Sequence, residues 1–250
     1  MFCLDAFCVD AESVLFISNR TSGKGCKRMG FKTEADTVRM QSNIADGKHL
    51  FGRTQILLDY DAIDASNVIE ALGKATAIHM KNQCEIEYLR RYYRGDQPIL
   101  NRMKTVRPEI NNKVVVNVAN EVVSFKVGYQ VGEPIQYVSR STDQNTMDAV
   151  SKLNSYMFSE DKAAQDQEVV EWQTIAGTAY RIVLPDARGE EDEAPFEMYT
   201  LDPRNTFVAY STGLGNKPIL AGTQYRRNGQ DEWTLYTDRD YFVIREDEII

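Results

Sequence analysis

Between Ser66 and Arg94 the apolar residues Val68, Ile69, Leu72, Ala75, Ile78, Ile86 and Leu89 recur at spacings of three, four and their sums. That period predicts one long helix with a single apolar stripe. Ser66 stands where an N-cap belongs, and Gly95 where the chain must leave the helix. After a polar turn at "RPEINNK", Val114 to Val116 form a short apolar run suited to a buried strand or an extended lead-in. Asn117 can cap a second helix, because its side-chain oxygen can accept from an orphaned backbone N–H. Val118, Val122, Phe125 and Tyr129 then follow at four, three and four, which makes that stripe the expected buried face. Gly132 ends the helix and "PIQYV" is expected to leave as a strand. Valine disfavours helix modestly, so a strand stays open for the same run.

The second half changes character. Val150, Leu153 and Met157 space a helix over Met147 to Met157, and "SEDKAAQDQEVVEWQTIAG" predicts another, from a cap signal at Ser159 to Gly177. From there the chain breaks into short strands: "TAYRIVL", "FEMYTL", "NTFVAY", "ILAGTQYRR", "EWTLYT" and "YFVIRE". Asn228-Gly229 is the strongest hairpin signal among the breaks. The pattern as a whole predicts an α+β fold, a helical amino-terminal half packed with an antiparallel β-meander. With no repeat, low-complexity tract or flexible linker, residues 53–250 read as one such unit. Residues 1–52 receive no fold: scattered apolar positions and the Gly/Lys-rich "TSGKGCKRMG" predict little packing through Arg39.

Composition narrows the function classes. With 42% hydrophobic and 26% charged residues the chain is expected to fold, and it holds no uncharged run long enough to span a membrane. Asp5, Asp10 and Glu12 interrupt what a secretory signal would need, so the protein is expected to stay inside the cell that makes it. A net charge of −8, from 37 acidic and 29 basic residues, disfavours a general nucleic-acid binder. The basic stripe is read as Arg90, Arg91 and Arg94 alone.

Candidate chemistry fails motif by motif. Cys3, Cys8, Cys26 and Cys84 match neither zinc-ribbon nor redox spacing and are expected as free thiols. His49 and His79 have no partner at metal-ligand spacing, and His79 is expected to serve its helix structurally. "SGKGC" lacks the P-loop pattern, with Ser18 where the first glycine belongs and Gly25 where Ser or Thr should follow Lys24. "RGD" at Arg94 to Asp96 is helix-stop chemistry ahead of Pro98, and "GEEDE" at Gly189 to Glu193 is a solvated loop. "EYLRRYYR", Glu87 to Arg94, reads as a charged helical face with Glu87 four residues before Arg91 and tyrosine bodies tucked beneath. No catalytic, cofactor-binding or metal-ligating residue is assigned, and no cofactor is expected.

Taken in order, "LRRYYRGDQPIL", "RPEINNKVVVNVANEVVSFKVGYQVGEPIQY", "NSYMFSEDKAAQDQEVVEWQTIAGTAYRIVLPD", "LDPRNTFVAYST" and "LYTDRDYFVI" closely resemble the portal proteins of tailed bacteriophages, in the siphophage head-to-tail connector branch. The likeness runs from about Asp61 to Ile250. Its positions here are Tyr92, Tyr93, Gly95, Asp96, Ile99 and Leu100, then Asn112, Val115, Val116 and Asn117, then Gly128, Tyr129, Gly132, Pro134 and Ile135.

The resemblance implies a wing-like portion of a structural subunit that forms a homo-oligomeric ring, usually dodecameric, at one vertex of the virion head. DNA passes through such a channel without sequence-specific binding during packaging and ejection. The implied partners are the packaging ATPase (terminase), scaffolding and coat proteins and head-completion adaptors, with assembly in the host bacterial cytoplasm and no membrane. An alternative is a capsid-associated interaction or decoration protein that forms no ring. Because "TDRDYFVIREDEII" stops in what reads as mid-meander, the stem, clip and crown are expected beyond Ile250. The chain alone is accordingly expected to close rings poorly and to hold duplex DNA weakly at most.

Overall fold

The computed structural model describes residues 53–185, 194–246 and 248–250, together with the backbone of two short strands nearer the start. The acidic run Gly189 to Glu193, "SGKGC" and the remainder of residues 1–52 lie outside the described residues. In chain order the elements are β1 (Cys8–Val9), β2 (Glu12–Phe16), β3 (Ile56–Leu58), α1 (Val68–Tyr93), a 3-10 turn at Pro98–Asn101, α2 (Val118–Val131), α3 (Gln144–Ser159) and α4 (Lys162–Ala176). The strands β4 (Tyr180–Pro185), β5 (Phe196–Leu201), β6 (Thr206–Ser211), β7 (Pro218–Arg227), β8 (Gln230–Tyr236), β9 (Tyr241–Arg245) and β10 (Glu248–Ile249) follow. After the three short strands β1 to β3, helices run as far as Ala176 and strands follow from Tyr180, the α+β arrangement that the periodicity predicts. The chain divides into two compact units, one of Met1–Asn19 with Ser124–Asp202 and one of Arg20–Val123 with Pro203–Ile250.

In the second of these units a six-stranded sheet runs in the order β10-β9-β8-β7-β6-β3. Every neighbouring pair is antiparallel except β3, which lies parallel to β6. The β7–β8 hairpin turns at Asn228 (φ 52°) and Gly229 (φ 81°), two successive positive φ angles that Asn-Gly tolerates and that match the twist of the strands. The stripe of α1, with Val68, Ala71, Leu72 and Ala75, shares one core with Phe207, Leu220, Trp233, Leu235, Phe242 and Ile244 of the sheet. Gly222 of β7 makes that packing possible. A methyl there would come within 2.7 Å of the Phe207 ring on β6 and 2.8 Å of Leu235 on β8, so the two large side chains meet across a strand that gives up its own.

The α1 helix begins without a cap from Ser66. The Asp64 carboxylate accepts from the Ser66 backbone N–H at 2.8 Å and from its hydroxyl, which holds the Asp64 carboxyl below the usual range. Asn67 closes the turn, its side chain accepting from the Asp64 N–H at 2.9 Å and donating to the Ala62 carbonyl at 3.1 Å. Further along α1, the Asn82 amide is buried and acts as a piece of strand: it accepts from the Thr54 N–H and donates to the Thr54 carbonyl, both at 2.8 Å.

In the other unit the sheet order is β1-β2-β4-β5, with β2 parallel to β4 and β4 antiparallel to β5. Asp143 caps α3, accepting from the Thr146 N–H at 3.1 Å. Ser159 proves to be the last residue of α3 rather than the cap of α4, and its hydroxyl donates back to the Tyr156 carbonyl. Asp161, with φ 49°, makes the turn instead, and Gly177, with φ 69°, ends α4 where the sequence places the stop. "PIQYV" is not a strand. The Tyr137 N–H and carbonyl pair instead with the Asn154 side chain of α3, at 3.0 and 2.9 Å, which gives the segment the bonds a neighbouring strand would have made.

Asn117 to Tyr129 forms a helix as expected, but its inward face is the other one. Val123 is 6% exposed and Val131 is buried, with Ala119 before them and Val127 between them half-buried, all at intervals of four. Val118, Val122, Phe125 and Tyr129 are exposed, Val122 at 49%. In the isolated subunit Val123→Asp should therefore destabilise by roughly 3 kcal/mol or more by burying an unpaired charge. Val122→Asp should stay within about 1 kcal/mol of the parent chain. Urea denaturation of both variants checks this, and similar losses at the two positions would contradict the observed orientation.

Candidate functional site

The residues of the long central motif converge where α1 ends and α2 begins. The carboxy-terminus of α1 closes with paired bonds: the Gly95 N–H donates to the Tyr92 carbonyl at 3.0 Å and the Asp96 N–H to the Arg91 carbonyl at 2.9 Å. Gly95 supplies the φ of 90° this closure needs, and a side chain there would be strained whatever the space. The Asp96 carboxylate then accepts from Arg91 Nε at 2.6 Å, so "RGD" is a helix stop in structure as in sequence. Glu87 does not reach for Arg91. It pairs with Arg204 at 2.9 Å, the residue whose backbone carbonyl accepts from His79 Nε2 at 3.0 Å.

Asn117 joins the two helices through one side chain. Its amide NH2 donates to the Tyr93 carbonyl at 2.9 Å, filling an acceptor left over at the end of α1, and its carbonyl oxygen accepts from the Asn120 N–H at 3.3 Å, capping α2. Gln97 adds a bond from its Nε2 to the Val116 carbonyl at 3.4 Å. The segment between is a loop with its own ties. Lys104 Nζ donates to the Ile110 carbonyl at 2.7 Å, Asn111 Nδ2 to the Arg102 carbonyl at 3.0 Å, and the Ile110 N–H to Arg107, whose φ is 54°. Loops with pinned ends of this sort hold a defined surface toward solvent.

The surface this loop offers is both apolar and basic. Met103 is 87% and Val106 77% exposed, and Ile110, Val114 and Val116 also stand out. Val114 to Val116 thus prove to be an extended lead-in whose first and last valines are exposed, rather than a buried strand. Arg102, Arg107 and Lys113 are exposed and Lys104 half-exposed beside them, so the basic stripe does not end at Arg94. The signal was present in "NRMKTVRPEINNK", where basic and apolar residues alternate. In the unit built on α4, the buried Asp166 carboxylate lies between Lys162, one turn earlier, and Arg181 of β4 at 2.7 Å. Gln165 beside it donates to the carbonyls of Glu160 and Met198, so this cluster ties α4 to the sheet.

None of these groups converges as a catalytic set would. Among the described residues no group of three His, Cys, Asp or Glu could hold a metal. His79 is buried against the Phe207 ring, and burial pushes its pKa below the ordinary imidazole value, with the Arg204 carbonyl working the other way. Cys84 is a free, buried thiol whose pKa burial raises, away from a reactive range. The side chains of the other three cysteines, and His49, lie outside the described residues. The organised side chains of this corner hold α1 to α2, and the exposed ones offer contact.

Residues 72–249 match the family model of the phage portal protein, SPP1 Gp6-like, and the chain belongs to that family. Membership makes it a structural protein of capsid assembly and DNA packaging at the head–tail connector. It implies a homo-oligomeric ring in the phage head. No curated protein matches the chain. No described helix is long and apolar enough to cross a membrane.

Two outcomes test the corner. Asn117→Ala should destabilise by about 2 kcal/mol, because it removes a cap and strands the Tyr93 carbonyl, whereas Asn117→Asp should keep the cap and lose only the second bond. Thermal denaturation would show Asp at an intermediate midpoint; an Asp midpoint equal to the parent's would mean that the bridge to Tyr93 carries nothing, and one equal to Ala's that the cap carries nothing. His79 sets a pH dependence. With its folded pKa lowered, the unfolded chain takes up the proton first, so its contribution is complete above about pH 6.5 and is lost as pH falls toward the folded value. Urea midpoints should drop from about pH 7.5 to about pH 5.5, and more steeply than in His79→Gln.

Proposed function

We propose that this chain is the structural subunit of the portal ring at the head vertex, forming the conduit for DNA packaging and ejection. It serves there as a docking platform for the packaging ATPase and for head-completion proteins, with scaffolding and coat subunits assembling around it in the host cytoplasm. The observation that carries this reading is the family match across residues 72–249. The corner at Asn117 supports it: the organised polar chemistry holds helices together, as a subunit under mechanical load requires, and gathers no reactive groups. DNA would pass through the completed ring without being read, which suits a chain of net charge −8. The protein would catalyse nothing itself.

The test is the position of the chain in the heads of the phage that encodes it. A small epitope at its amino-terminus, imaged by electron microscopy, should mark a single vertex of each head. Label distributed over the shell would instead indicate a decoration protein and overturn the portal reading.

A further inference from the structure

A ring built from identical copies needs two different faces on each copy, one to meet the neighbour on each side. Resting on the ring reading above, we propose that the stapled loop from Leu100 to Val116 is one of these faces and that it docks on the acidic end of α1 in a second copy of this chain.

Charge separates the two ends of a single helix. Seven basic and two acidic residues between Arg90 and Lys113 give +5, which leaves −13 for the rest of a chain whose total is −8. This excess sits at the carboxy-terminal end of α1, where Asn117 and Gln97 pin the loop back to the helix. At the other end, between Arg53 and Lys74, the chain carries Asp59, Asp61, Asp64 and Glu70, of which Glu70 is paired with Lys74 at 2.8 Å and the three aspartates carry the acidic character. All four carboxylates are on exposed residues, and Leu57 is exposed among them. At 26 residues α1 holds the two regions about 39 Å apart, on one rigid strut. Such an element cannot bring its own ends together, but it presents each to a different neighbour.

The loop also has the anatomy of an interface. Met103, Val106, Ile110 and Val114 are apolar and exposed, and Arg102 and Arg107 are exposed in the same loop. An apolar centre inside a charged rim is how protein contacts exclude water and choose a partner, and patches of this kind are uncommon on a surface that meets only solvent. The ties from Lys104 to Ile110 and from Asn111 to Arg102 fix the loop before it binds, which lowers the entropy lost on docking. The opposite charges steer the encounter and set its direction, basic end to acidic end, the head-to-tail sense a ring requires.

A charge exchange on the full chain tests this. One variant carries Arg102→Glu with Arg107→Glu, a second Asp59→Lys with Asp61→Lys, and a third all four changes. Asp64 is left alone because it shapes the start of α1. Sedimentation velocity across a range of concentrations, at low and at physiological salt, should show the parent chain self-associating into short arcs. Each two-site variant should associate more weakly by roughly tenfold or more. The four-site variant, in which both faces are reversed and complementary again, should recover the parent behaviour. Thermal midpoints near the parent's keep folding separate from association. Self-association that survives both two-site exchanges, or that the four-site variant fails to recover, overturns the proposed interface and leaves the ring reading standing. A parent chain that remains monomeric throughout overturns the proposed interface, while the ring reading stands or falls on the vertex label.

Discussion

Backbone N–H and carbonyl groups left without a partner inside a protein are expensive, and this fold repeatedly meets that constraint with asparagine side chains. Asn117 fills an acceptor at the end of α1 while capping α2. Asn82 holds both backbone groups of Thr54, just ahead of β3, and Asn154 holds both of Tyr137. A primary amide carries donor and acceptor in one plane, as a peptide does, so it can stand in for a missing strand or close a helix end. These three contacts lie where the chain leaves regular structure and would otherwise be free to wander. The core of α1 against the sheet supplies bulk stability, but the amides fix where each segment departs and arrives.

The strands of the second half were legible almost residue by residue, because a short β-run is bounded by turn residues whose conformational needs are strict. Asn228-Gly229 is the clearest case, with both φ angles positive. The inward face of α1 was legible too, since only one side of it is apolar. The inward face of α2 was not. Ala119, Val123, Val127 and Val131 form one apolar row and Val118, Val122, Phe125 and Tyr129 another, and periodicity cannot choose between two rows on one helix. Only the packing of the folded subunit decides. "PIQYV" failed as a strand for a related reason, because β-propensity describes willingness to pair and says nothing of whether a strand is there to pair with.

Local polar geometry was the least legible level. Ser66 and Ser159 both occupied plausible cap positions, yet Asp64 and Asp161 shape those turns. Glu87 had Arg91 one helical turn away and went instead to Arg204, distant in sequence. Each choice turns on a distance of a few ångströms set by tertiary packing, below what spacing in a sequence can resolve. Net charge misled in the same way. The total of −8 is accurate and conceals a basic region whose residues are separated along the chain by Pro98, Leu100 and Met103.

The absence of convergent catalytic groups among the described residues becomes physically coherent once the chain is seen as a structural subunit. An enzyme tolerates strain and buried, perturbed groups around a pocket because binding energy is spent there. A ring component must instead keep its shape while neighbours press on it. Its buried charges, such as Asp166 between Lys162 and Arg181, are therefore expected to be paired and tied between elements rather than poised for proton transfer. The same demand explains the two-sided apolar character of α2. One row, through Val123 and Val131, belongs to the subunit's own interior, while Phe125 and Tyr129 stack on each other in the open with ring centroids 6.2 Å apart. Such an outer row is costly for a protein that works alone in water and reasonable for one whose working state is an assembly.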